Sequence, residues 1–308
     1  MTFGRSLLLA AARSQRLNDF ALRSRFVKRA TRKFMPGENP EDALRAGAGI
    51  AATGRGILYT QLGEAITNGQ AAEAVRDHYL WFFDQIAAQQ LPAQVSVKPT
   101  QLGLDLSNVG CQRHLLTLAA KAEATGSALW LDMEDSSYVD RTLDLYVNLL
   151  EQHPSTGVAI QAYLFRTPRD LARLFPLRPT IRLVKGAYQE PPNIAYEKKS
   201  DTDRAYFDLA SQMLDAALSG NCTPVFGTHD LQLIGRITDR AAQIGLSKDK
   251  YQIHMLYGIR DAAQQQLVAE GHIVKTLISY GSAWYRWYMR RLAERPANVL
   301  FVLKSLIA

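Results

Sequence analysis

Polar side chains with chemical capacity recur where apolar runs of this chain end. Lys98 closes QVSVK, and Asp132, with Glu134 and Asp135 just beyond, closes ALWLDM. Gln161 and Tyr163 come late in GVAIQAYLF, and Arg182 and Lys185 punctuate TIRLVKG. Thr228 and His229 end TPVFGT, and Tyr257 follows YQIHML. Such groups bind anions, exchange protons and stabilise developing negative charge. Taken singly, each has a plainer reading. A lone Lys or Arg at a strand end serves as well in an ion pair, Asp132 suits a helix cap, and His229 suits a half-buried, satisfied imidazole. Near the C-terminus, WYRWYMRRLAERPAN (284–298) sets Arg290 and Arg291 about 100° apart on a helix. Glu294 lies within i+3/i+4 reach of both, and Trp284, Tyr285, Trp287 and Tyr288 crowd the same turns. Two guanidinium forks beside an aromatic wall suit a small carboxylate. The alternative is a solvated helix with an internal ion pair. His78, His114, His153, His229, His254 and His272 show neither HExxH nor His-x-His spacing, so no catalytic metal is expected.

Positioning those residues requires a repeated scaffold. Eight short apolar runs read as strands: 57–61, 94–98, 128–133, 157–165, 180–186, 223–228, 251–256 and 272–278. Most are near-continuous rather than alternating, as in parallel strands covered on both faces. Helical spacing fills 68–90, 110–125, 140–152, 168–175, 204–219, 230–246, 260–270 and 284–295. Eight βα units in series predict an α/β fold of the (β/α)₈ barrel type, whose strand ends converge on one mouth. No GxGxxG follows a strand, which argues against a Rossmann nucleotide site. The segment YQEPPNIAYEKKSDTD (188–203) is the longest irregular insertion and, following the fifth strand, is expected to overhang the mouth as a lid or rim.

Size and composition fit this scaffold. The chain has 308 residues, a natural length for one such barrel, and 47% hydrophobic content excludes disorder. Two cysteines, Cys111 and Cys222, give no disulfide framework, which favours a reducing compartment. The apolar run Leu7–Ala12 is far short of the ~20 residues that cross a bilayer. Residues 1–35 hold nine Lys/Arg against Asp19 alone, a balance of +8, whereas the whole chain is +7. Basicity therefore belongs to an arm. Residues 1–45 are read as a basic N-terminal helical arm and 46–308 as the catalytic barrel, with a C-terminal helix over its mouth.

The ordered motifs LGE (62–64), VSVKPTQLG (95–103), LDMED (131–135), QAYL (161–164), RLVKGAY (182–188), GTHD (227–230), MLYG (255–258) and RRLAER (290–295) resemble the proline dehydrogenase family, including the barrel of the bifunctional proline-utilisation enzymes. The resemblance runs from about residue 25 to the C-terminal helix. It implies FAD as cofactor, L-proline as substrate and Δ1-pyrroline-5-carboxylate as product, by hydride transfer from C5 to the flavin N5. Carried over position by position, Arg290 and Arg291 would grip the proline carboxylate, Glu64 would pair with the first of them, and Lys98, Tyr188 and Leu256 would line the substrate pocket. Asp132 would be the active-site acid and Arg182 the arginine beside the flavin. Met133, Gln161, Lys185, Gly186, Ala187, Thr228, His229 and Glu294 would contact FAD. The sequence departs from the common pattern at Gln189, Leu277 and Trp287, which bears on the pocket over the ring.

Lys98 and Asp132 are expected to form an ion pair in the pocket. The family's electron acceptor, a membrane quinone, gives the basic arm a role. Leu17, Phe20, Val27, Ala30 and Phe34 recur at roughly helical intervals, so the arm suits an anionic membrane surface, or equally packing against the barrel. The expectation is a cytoplasmic enzyme, peripheral on the inner membrane face under the first reading. A separate pyrroline-5-carboxylate dehydrogenase is the expected partner, and nucleic acid is not. Two other classes remain open at this point. One is a Schiff-base aldolase using Lys98 or Lys185; the other is a non-enzymatic binder that docks through its basic arm.

Overall fold

The computed structural model describes residues 31–63 and 66–285. Most of the basic arm, and Glu64, Trp287, Arg290, Arg291 and Glu294, lie outside the described residues. Eight parallel strands close a barrel in chain order: β1 (Gly56–Gln61), β2 (Ala93–Val97), β3 (Leu129–Leu131), β4 (Gly157–Gln161), β5 (Thr180–Val184), β6 (Thr223–Gly227), β7 (Gln252–Leu256) and β8 (Ile273–Tyr280). The helices are α1 (Pro40–Ala51), α2 (Gly69–Ala88), α3 (Asn108–Ala124), α4 (Val139–Leu150), α5 (Thr167–Leu174), α6 (Lys199–Leu218), α7 (Leu231–Gln243) and α8 (Asp261–Ala269). Among the described residues, no helix is long and apolar enough to cross a membrane.

Local chemistry sets these elements. In α4, Val139, Leu143, Tyr146 and Leu150 recur at helical spacing and are buried, while Asp140, Asp144 and Asn148 face solvent. Side-chain caps start three helices: Asn68 accepts from the Ala71 N–H at 2.9 Å, Ser107 from that of Gly110 at 3.0 Å, and Asp230 from that of Leu233 at 3.3 Å. Each such cap contributes about 1 kcal/mol. Helix α1 packs against both β1 and β8, the slot that a helix following β8 would otherwise fill. It begins before residue 46 and so joins the N-terminal segment to the barrel wall. Upstream of it, Lys33 and Phe34 pass over Gly258 beyond β7, and Glu38 accepts from the Trp284 indole N–H at 3.1 Å. The N-terminal segment thus approaches the barrel at its C-terminal mouth.

Two predicted segments differ from the structure. The fourth strand ends at Gln161 rather than 165, because the following residues leave the barrel to pair with the insertion. Leu164 and Ala195 form an antiparallel bridge, Phe165 N–H donates to Ile194 O at 3.0 Å, and Tyr196 N–H donates to Tyr163 O at 2.8 Å. Helix α6 starts at Lys199, five residues before its expected position. The insertion is pinned as well by Glu190, which accepts from Ser136 N–H at 2.7 Å and from its hydroxyl at 2.6 Å. It forms a fixed rim.

The strand registers stack the inward side chains in layers, as in barrels whose strands are offset by one residue per neighbour. A middle layer holds Leu58, Trp130, Arg182 and His254. Above it, toward the mouth, lie Ser96, Ala159, Gly227 and Leu277, and then Thr60, Asp132, Val184 and Leu256. Beneath it lie Gln94, Gly157, Val225 and Lys275. Small residues dominate the layer above Arg182, so the interior opens upward from that floor.

Candidate active site

Residues on three strands meet at that floor. Asp132 directly follows β3, its N–H donating to Val97 O at 2.8 Å, and its side chain faces inward. Arg182 Nη2 donates to Asp132 Oδ1 and, at 3.1 Å, to Ser96 Oγ, while Ser96 Oγ donates to the same carboxylate oxygen at 2.7 Å. This closed triangle lies deep: Arg182 is 5% exposed. Burial pulls the guanidinium below its ordinary range, and the Asp132 carboxylate opposes that shift. A buried charge of this kind needs its partner close.

The partner differs from the sequence expectation. Asp132 is held by Arg182 and Ser96, and among the described residues Lys98 has no carboxylate within ion-pair distance. The register explains this. Lys98 stands at the end of β2, a layer above Asp132, whereas Arg182 lies on the floor and reaches up to the carboxylate. Lys98 is half-buried near Glu134, whose carboxyl burial pushes up despite hydrogen bonds from Thr100 N–H at 3.1 Å and Thr100 Oγ1 at 2.6 Å.

Around the mouth, Gln161 is 3% exposed and its Nε2 donates to Glu134 O at 3.0 Å, while its Oε1 accepts from no described residue. An acceptor held in place and left unmet suits an N–H donor from a bound planar heterocycle. Residues 184–188, including Lys185, Gly186, Ala187 and Tyr188, are all half-buried as the chain leaves β5, and Leu256 is half-buried at the end of β7. Thr228 is buried, with its hydroxyl accepting from Asp230 N–H at 3.2 Å, and His229 Nε2 accepts from Leu256 N–H at 3.4 Å. Met133 is different: it points away from Asp132 into the main apolar cluster.

Lys185 is tied to Asp203 on α6 and, at 3.0 Å, to Asp230 at the start of α7. Its amine is engaged by two carboxylates in an ion-pair network, which disfavours the Schiff-base role. Both thiols are excluded as nucleophiles, since burial pushes Cys111 and Cys222 up to about 12.

Sequence reasoning missed the support within and beneath the floor. Trp130 takes the Arg182 guanidinium at 4.9 Å from its ring centroid and meets His254 edge-on at 5.4 Å. Burial, with Lys275 and Arg182 nearby, holds the His254 imidazole well below its usual range. Lys275, one layer lower, has its amine pushed down to about 8 by burial. The strand alternation that places Lys98 and Asp132 inward places Ser96 and Trp130 inward too, and this was the available signal.

A stability test follows from Lys275. Below pH 8 its amine is charged in folded and unfolded chains, and the folded state carries the burial cost. Between pH 8 and the ordinary 10.5 only the unfolded chain holds the proton, so stability rises with pH in that window. Lys275→Met is therefore expected to be about 2–3 kcal/mol more stable than the parent at pH 7, with the gap shrinking by pH 10. Denaturant melts of both proteins at the two pH values check this, and a gap indifferent to pH would contradict it.

The comparisons with known proteins bear on this site as a whole. A family model for proline dehydrogenase matches residues 43–304. Proline dehydrogenase 1 of Bacillus subtilis (strain 168) is 33% identical over 303 residues, covering 98% of this chain and 99% of the relative. Proline dehydrogenase of Deinococcus radiodurans is 35% identical over 280 residues, 89% of each chain. In fold, the chain is similar to a crystal structure of proline utilization A (PutA) from Bdellovibrio bacteriovorus inactivated by N-propargylglycine. The TM-score is 0.81 at 20% identity, covering 94% of this chain and 38% of that one. With a family model spanning most of its length and relatives aligned nearly end to end, the chain belongs to the proline dehydrogenase family.

Proposed function

We propose that this protein oxidises L-proline to Δ1-pyrroline-5-carboxylate with FAD as hydride acceptor, the electrons passing on to a membrane quinone. The observation that carries this reading is the buried Asp132–Ser96–Arg182 triangle on the floor of an open mouth, in a chain of this family. When bound, FAD accepts the hydride that leaves C5 of proline. Gln161, Lys185, Gly186, Ala187, Thr228 and His229 are the residues that would hold it, with Glu294 and, less directly given its burial, Met133. Their chemistry fits: an unmet buried acceptor, a glycine whose positive φ a side chain would strain, and a lysine fixed in a carboxylate network.

The protein's own groups divide the remaining work. Arg182 supplies a fixed positive charge at the floor, where negative charge would arrive. Asp132 holds that guanidinium in place. Arg290 and Arg291 would clamp the proline carboxylate and set the ring's orientation, with Glu64 pairing to the first. Lys98, Tyr188 and Leu256 would line the substrate. The proline nitrogen must shed its proton before the C–H bond breaks, because an ammonium has no lone pair to assist. The N-terminal segment approaches the barrel on the mouth side, so a basic arm lying on an anionic membrane would bring the mouth toward a quinone. A separate dehydrogenase would then consume the product.

Visible absorbance of the purified protein, taken before and after anaerobic addition of L-proline, tests the reading. Flavin bands that bleach with proline are expected, and Arg291→Ala should raise the proline concentration for half-reduction at least tenfold. A protein that stays colourless after FAD is added would overturn the reading. Bands indifferent to proline would retain the cofactor and move the substrate elsewhere.

A further inference from the structure

The contacts of Arg182 leave its plane underdetermined by hydrogen bonds. Both of its polar bonds, to Asp132 Oδ1 and Ser96 Oγ, leave from the single atom Nη2. Nε and Nη1 donate to no described residue. A fork held at one tine can pivot about it. The second constraint is the face of Trp130, 4.9 Å from the guanidinium carbon to the ring centroid. That ring is itself fixed on three sides. Its Nε1 donates to Gln94 Oε1 at 2.8 Å, and His254 meets it at an interplanar angle of 66°. Gly157 leaves it room: a Cβ there would come 2.6 Å from ring carbons Cε3 and Cζ3.

We infer that Trp130, seated by Gln94, is a positioning residue that sets the plane of the Arg182 guanidinium and through it the rate of proline oxidation. The inference rests on the function proposed above. Trp130 lies two layers below Asp132, beside Arg182 in the floor, and acts only through Arg182. Its loss should therefore slow the chemical step without weakening substrate capture.

The test uses the full-length protein with its flavin bound, following anaerobic flavin reduction by L-proline in a stopped-flow spectrometer. Trp130→Met, which fills the space without a ring face, is expected to lower the limiting reduction rate about 30-fold while half-saturation stays within about threefold. Trp130→Phe keeps a face and should remain within about threefold of the parent rate. Gln94→Leu frees the ring and should cost about fivefold, again with unchanged half-saturation. A Trp130→Met rate near that of the parent would overturn the inference, as would a Phe variant as slow as Met, or a loss seen in half-saturation. Should Trp130→Met fail to fold, Gln94→Leu decides: a fivefold slowing supports the role and a parental rate ends it. If proline leaves the unsubstituted flavoprotein oxidised, the proposed function fails first and the inference falls with it.

Discussion

Arg182→Ala is expected to lower the limiting rate of flavin reduction by about 10²–10³-fold, with the proline concentration for half-saturation changed less than about threefold. The asymmetry follows from placement. Arg182 is on the floor of the mouth, bonded to Asp132 and Ser96, so its charge would be felt where electrons arrive and little by the substrate carboxylate. The same substitution should also destabilise the fold. Among the described residues Asp132, with a side chain 19% exposed, would keep only the Ser96 hydroxyl, and breaking a buried pair on one side costs about 3–5 kcal/mol. Removing both charges in Arg182→Ala/Asp132→Ala should cost less than the sum of the two single changes, because no orphaned ion remains. Arg182→Lys keeps the charge but cannot use the flat Trp130 face as well, and should fall between parent and alanine in rate. Melting temperatures and anaerobic reduction traces on the parent and the four variants separate the two effects. A rate within threefold of the parent in Arg182→Ala would remove Arg182 from the chemistry.

Residues at strand ends were the most legible part of this site, because a polar group that closes an apolar parallel strand has few places to go but the mouth. Lys98, Asp132, Gln161, Thr228 and His229 all stand at or just past strand termini in the structure, while Arg182 sits in the middle of β5. The number and order of the strands were legible for the same reason, since both faces of each are covered and the runs are unbroken. What a sequence conveys poorly is partnership across strands. Asp132 has the same inward parity whether it meets Lys98 or Arg182, and only the offset between β2, β3 and β5 decides for Arg182. Lys185 offers the same lesson: its two carboxylates come from α6 and α7, 18 and 45 residues away. The inner layers at and below the floor were hidden by their chemistry. Trp130, a large apolar residue inside an apolar run, reads as ordinary core, and Lys275 in HIVKTLI reads as a solvated edge. Helix α1 escaped notice because Gly and Ala dilute its apolar stripe.

Gly186→Ala is expected to yield a folded protein that has lost most of its bound flavin and melts several degrees lower. The backbone there has φ +111°, outside what a residue with a Cβ readily adopts, and the cost of forcing it is about 1–2 kcal/mol. Space is the second obstacle. An added Cβ would come 2.2 Å from Cδ1 of Tyr163, a ring 6% exposed and packed on the insertion that Glu190 pins. Either the ring moves, and the rim with it, or the chain after β5 shifts into the mouth. Both displace Lys185 and Ala187 from the positions where the family resemblance sets the cofactor. The two obstacles can be separated by Tyr163→Leu/Gly186→Ala, which relieves the clash but leaves the dihedral strain. Partial recovery of the flavin-to-protein absorbance ratio is the expected result for the double variant, with the melting temperature still below that of Tyr163→Leu alone. Full flavin content in Gly186→Ala itself would mean that the segment after β5 tolerates a shift, and that cofactor retention rests on Gln161, Thr228 and His229 instead.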